Sequence, residues 1–213
     1  MTEASWSALL ALGAGHGINP AMGWLFAVAL GFQRGSRQAV WGALGPLAIG
    51  HGLAMVAAIA AAALLGTMLP HAALKWTIAA LLVGLGVYRL VRSRHISYGG
   101  MQVSSRELAT WSFLMATAHG AGLMVLPLIL GDLTGAPHLH QVAAASLVNF
   151  AAVEWTGVIA AAVHTAGYLL VTGAIAVIVY EKVGVRFLRT AWVNLDLIWA
   201  IALVITGLGT VLL

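Results

Sequence analysis

The chain has no cysteine, which excludes disulfides, thiolate metal sites and dithiol electron relay. It is also short of charge. Only 8% of its 213 residues are Asp, Glu, Lys or Arg, against about 25% in soluble domains, so water is not its main solvent. The ten Lys and Arg outnumber six acids but gather on no polar domain, and nucleic acid is not an expected partner. No carboxylate cluster of the kind that holds Mg or Ca is present. A secretory leader is not expected either. The first apolar stretch lacks a basic start, contains His16, Asn19 and Pro20, and runs too long for a leader core.

What is there is apolar: 62% of residues are hydrophobic and mean hydropathy is +0.98. A bilayer span needs about 20 mostly apolar residues. Runs of that kind predict helices near 6–31, 38–66, 72–91, 108–130, 148–180 and 190–213, an all-α integral membrane protein with six transmembrane helices. The fifth run is too long for one upright span, so its first part, Gln141 to Val153, is expected to lie along the surface or to break before Glu154. The polar stretch 92–107 divides the chain into halves 1–91 and 108–213, each of three helices. Arg34, Arg37, Arg89, Arg92, Arg94, Arg106, Lys182, Arg186 and Arg189 then share one side, and only Lys75 falls opposite. That bias places the linker in the cytoplasm and both termini outside it, in the cell (inner) membrane.

The halves resemble each other. GAGHG around His16 recurs as ATAHG around His119, and AIGHG around His51 has a weaker echo in AAVHT around His164. Trp76 precedes Gly84-Leu85-Gly86 as Trp199 precedes Gly207-Leu208-Gly209. Halves with an odd number of spans must have opposite topology. Such inverted repeats are common in secondary transporters, whose sites form near the midplane.

The four histidines carry the chemistry. Each sits roughly 15–20 Å along its helix at 1.5 Å per residue, near the centre of a hydrocarbon core about 30 Å thick. Neutral imidazole is the commonest transition-metal ligand, so His16, His51, His119 and His164 are candidate ligands for Zn, Ni, Co or Cu. The plain alternative is four interhelical hydrogen bonds at tight packing points. Matched depth in duplicated contexts favours a site, because intramembrane ionisable residues are functional by default; a proton-carrying or anion-binding cluster is the other functional form.

Weaker candidates surround them. Asn19-Pro20 breaks the first helix and frees carbonyls towards a pathway. Glu154 and Asp196 are acids near bilayer depth that could carry a proton or cation, and Asn149 and Asn194 are polar neighbours. Met55 and Met115 lie one turn from His51 and His119, a soft pairing suited to Cu(I), although Met is also a routine filler. His138 and His140 form a pair in an outer loop, and most of the eight Trp read as interfacial anchors.

The stretch from His16 to Ala54, HGINPAMGWLFAVALGFQRGSRQAVWGALGPLAIGHGLA, resembles the first two helices of the lysine-exporter (LysE) superfamily of small six-helix transporters. LAIGH within it is similar to an element of nickel/cobalt efflux (NicO) and urease-accessory permeases. The resemblance implies the 3+3 inverted layout and, for the permease branch, metal transport. The chain departs from that branch at Ala21, where an Asp is usual, and in having no His-rich loop. The resulting expectation is a transporter for a transition-metal cation using the four histidines, with lipid and the metal as partners and a homo-oligomer compatible. Two alternatives use the same histidines: an intramembrane enzyme activating water on a His-bound metal, with Glu154 or Asp196 as base, and a membrane metal-assembly factor.

Overall fold

The computed structural model describes residues 2–91, 104–134, 146–184 and 195–212. Every regular element among them is helical: α1 (Glu3–Ile18), α2 (Trp24–Arg34), α3 (Arg37–Met68), α4 (His71–Val91), α5 (Ser105–Ala118), α6 (Ala121–Thr134), α7 (Ser146–Ile178) and α8 (Leu195–Leu212). The starts have local causes. Thr2 and Ser36 accept from the Ser5 and Gln38 amides, and Ser104 with Glu107 closes a capping box on α5, each satisfying donors the first turn leaves open. Gly35 ends α2 in the left-handed region at φ 55°, as helix ends commonly do.

Three helices are long and apolar enough to cross a membrane, Arg37–Gly66, Ala72–Val91 and Trp155–Val183, and the bent pair α5–α6 makes a fourth if taken as one span. The outward faces are lipid-like: Leu53, Leu64, Leu170 and Ile205 are exposed while His16, His51 and His164 are buried. That is the reverse of a soluble bundle, and it follows from hydrocarbon being the better solvent for Leu and the worse one for imidazole.

The run 6–31 is broken at Asn19–Gly23, where Asn19-Pro20 predicts it. Other expectations are corrected. The run 108–130 is two helices separated at His119–Gly120 with a 55° bend. The run 148–180 has no break before Glu154; α7 is continuous from Ser146 to Ile178 and is followed by a π-helical turn, Val179–Val183. Gln141 to Ala145 lie outside the described residues. The linker is also shorter than drawn, since 105–107 are helical.

Small residues set the neighbours and their directions. On α1, Gly13 faces the His164 carbonyl and Tyr168 amide, and Gly17 faces the Tyr168 carbonyl and Thr172 amide. Both chains advance together, so α1 and α7 run parallel. Gly50 on α3 faces Ala109 and Phe113, and Gly122 faces Ala54 and Ala58, so α3 runs parallel to α5–α6. Gly86 meets Ala200 and Val204 while Gly207 meets Ala79 and Val83; α4 and α8 are antiparallel. Gly157 beside Ile59 and Gly173 beside Leu44 make α3 and α7 antiparallel too. Close approach at small side chains is how helices associate when lipid tails are as apolar as the core.

Candidate functional site

The α1–α7 seam and the α3–α7 crossing meet at one level, and three histidines meet with them. The His16 ring centroid lies 5.0 Å from His164 and 5.9 Å from His51, and His51 lies 5.4 Å from His164. All three rings have 0% exposure. Two aromatic rings complete the shell: Trp199 of α8 stacks on His16 at 4.2 Å, and Tyr168 of α7 stacks on His51 at 4.1 Å. His119, 2% exposed at the end of α5, is close enough to His16 for electrostatic contact.

His16 Nδ1 is 2.9 Å from the Leu12 carbonyl, four residues back on its own helix. A carbonyl only accepts, so Nδ1 donates and Nε2 keeps its lone pair in the neutral ring. His119 repeats the arrangement: its Nδ1 donates to the Met115 carbonyl at 2.8 Å. This is the outer contact that fixes the tautomer of a metal-ligating or proton-accepting imidazole. His16 Nε2 and both ring nitrogens of His51 and His164 have no hydrogen-bond partner among the described residues. His164 faces the Leu9 carbonyl without hydrogen-bond geometry. Buried polar atoms are nearly always partnered, so five at one point mark a place built to meet something else.

The spacing suits one metal ion and the orientation does not. Ring nitrogens bond zinc at about 2.0–2.1 Å, which puts the centroids of two ligands on one tetrahedral ion roughly 5 Å apart. The observed 5.0–5.9 Å fits. Yet His51 lies within 7° of parallel to His164 and within 10° of parallel to Tyr168. No group of three or more His, Cys, Asp or Glu among the described residues converges on a metal position. Imidazole rotation, with His51 leaving its stack on Tyr168, is the adjustment that chelation requires.

Both helix breaks lie beside a histidine, the first three residues after His16 and the second at His119 itself. In the first, Asn19 Oδ1 accepts from the Ala21 amide and Pro20 starts a single 3-10 turn. Its freed carbonyls are taken by Trp24 (to Ile18, 2.9 Å), Trp111 (to Ala21, 3.3 Å) and Tyr168 (to Met22, 2.6 Å). In the second, Arg89 of α4 donates to the Ala118 carbonyl at 2.8 Å. Each second segment starts at a glycine with positive φ, Gly23 at 136° and Gly120 at 70°.

The structure brings together His16, His51 and His164, sets Asn19 in the adjoining break with a buried, unpartnered Nδ2, and keeps His119 one step away. Met55 and Met115 are core residues; it is the Met115 carbonyl, not its sulfur, that His119 bonds. Glu154 and Asp196 fall within α7 and α8, with side chains outside the described set, as is that of Asn149; Asn194, His138 and His140 lie outside the described residues. Sequence reasoning missed Tyr168 and Trp199. Tyr168 was findable, one turn after His164 and so on the same face. Trp199 reads from the sequence like the other tryptophans, but it is buried, whereas Trp76 and Trp155 are exposed. Comparison with protein-family models, curated proteins and solved structures returns no match.

Proposed function

We propose that this protein is a multi-pass membrane transporter whose cargo is a transition-metal cation, handled by His16, His51 and His164 with His119 beside them. The observation that carries the reading is the set of buried, unpartnered imidazole nitrogens contributed by three helices. Soft-to-borderline cations such as Zn, Ni, Co or Cu are what neutral imidazoles select.

The layout supports transport over a static site. Taking α1–α2 and α5–α6 as broken spans gives six, both termini on one side, and the basic residues place that side outside the cytoplasm. Exchanging the halves maps the parallel α1–α7 pair onto α5–α3, and α4 onto its antiparallel partner α8. A 3+3 inverted repeat has this pattern, with interrupted helices at corresponding positions in the two halves flanking the site. Movement of one half against the other then exposes the histidines alternately to each side. Protons compete with the metal for the same nitrogens, so uptake falls as pH falls and the imidazoles charge.

The test is metal content of protein purified without a His tag, beside a variant with His16, His51, His119 and His164 all changed to Ala, followed by flux in liposomes. About one equivalent in the wild type, none in the folded variant, and His-dependent flux is the expected result. Two empty proteins unable to take up any of the four ions would end the metal reading. Bound metal without flux would shift it to a membrane metal-assembly factor or an enzyme.

A further inference from the structure

A cavity of about 380 Å³ opens between the ends of α2, α3 and α5, and no role above uses it. Arg34, Ser36 and Ser105 form a polar mouth, while Ala43, Pro46 and Leu108 form the floor. Pro46 has no N–H for the carbonyl of Gly42, four residues back, and both residues line this cavity. Its open wall therefore carries a backbone acceptor that lacks its helical donor, as a water-lined passage requires.

The floor is one residue from a seal. Leu47, 0% exposed, packs so closely on the first break that a Cβ on Gly23 would meet Leu47 Cδ2 at 2.5 Å and the Tyr168 hydroxyl at 3.1 Å. Tyr168 in turn stacks on His51. From cavity to histidines the sequence of contacts is Pro46, Leu47 on Gly23, Tyr168, His51. The backbone at Gly23 belongs to the Asn19–Gly23 break, tied by Tyr168 at Met22 and Trp111 at Ala21. The break keeps a 3-10 turn of its own, Met22 to Asn19 and Gly23 to Pro20, so the piece of this seam best able to move is the Leu47 side chain seated on it.

We propose that this cavity is the aqueous access vestibule of the histidine centre at the Arg34 end of the bundle, closed in this conformation by Leu47 seated on Gly23. The cargo it admits, a small hydrated cation, rests on the transport reading; the route itself is tested without any metal.

The absence of native cysteine makes each single-Cys variant carry one thiol. The probe is a membrane-impermeant charged maleimide applied to either face of reconstituted vesicles. Gly42→Cys, in open space, is labelled from one face. Ile49→Cys, 59% exposed on the outside of α3 and not in the cavity, stays unlabelled in lipid. His51→Cys is unreactive alone, and in a Leu47→Ala background it is labelled from the Gly42 face at least about tenfold faster, since thiol reaction follows access. Leu47→Val, a milder truncation, gives a smaller change of the same sign if Leu47→Ala does not fold. An unreactive Gly42→Cys, or His51→Cys labelling indifferent to Leu47, overturns the proposal. Labelling in this order by a protein that binds no metal keeps the vestibule and removes the metal cargo, so the two readings fail separately.

Discussion

The two helix breaks differ in how they are held. The first is five residues long, and three aromatic donors tie its carbonyls: Trp24, Trp111 and Tyr168. The second is two residues, and its carbonyl at Ala118 is met by the guanidinium of Arg89. Neutral donors keep a fixed break in place at little solvation cost, each hydrogen bond contributing about 1 kcal/mol. A charged donor is different. Arg89 stands in the last turn of α4 and is part-buried, so its charge is partly desolvated where it meets the Ala118 carbonyl, and partial burial of a cation carries a cost. The comparison separates a break locked by neutral donors, beside the histidine cluster, from one held by a charged donor, beside His119.

The largest expected difference is in metal binding. His16→Ala removes the ring that contacts both His51 and His164 and lowers zinc or nickel affinity by about 100-fold, whereas His119→Ala lowers it about tenfold, the range of outer-shell losses. Titration calorimetry in detergent measures both. Equal losses would make the two breaks functionally equivalent and erase the distinction.

Next is the backbone. Gly23 combines φ 136° with Leu47 at 2.5 Å from any Cβ, so Gly23→Ala costs about 3 kcal/mol and lowers the apparent unfolding temperature by about 6–12 °C. Gly120 sits at φ 70°, a region Asn tolerates, and a Cβ there meets the flexible end of Leu203 at 2.8 Å, a milder crowding than at Gly23. Gly120→Asn therefore lowers it by only about 2–4 °C, corresponding to about 1 kcal/mol. Thermal scans of the two purified variants check the order, and a reversed order would mean the first break is the softer one.

The smallest difference is one of sign. Tyr168→Phe leaves the Met22 carbonyl without its 2.6 Å donor and costs about 1–2 kcal/mol. Arg89→Leu also frees a carbonyl but removes a charge from the bundle, so its stability change is near zero or favourable within about 1 kcal/mol, while flux falls. A Tyr168→Phe protein as stable as wild type, or an Arg89→Leu protein strongly destabilised, would show that the latches are of one kind.

Much of this was legible along the chain. Low charge and long apolar runs pointed to helices apolar enough to cross a membrane, because hydropathy is a property of each segment by itself. The break at Asn19-Pro20 was legible for the same reason: proline removes a donor wherever it stands. The break at His119-Gly120 was not, since a glycine inside an apolar helix is more often a packing point than an end. Nor was the continuity of α7 through Glu154, which length alone argued against.

Sequence by itself determined that the protein is helical and apolar, and which imidazoles are duplicated between its halves. Tertiary structure alone decided that His16, His51 and His164 meet ring to ring, and that Tyr168 and Trp199 close the shell. The reason is physical. Composition and periodicity act within a few turns of one helix, whereas ring-to-ring distances of 5–6 Å depend on which glycines let which backbones touch. Gly13 and Gly17 settle that against His164, Tyr168 and Thr172, some 150 residues away in the chain.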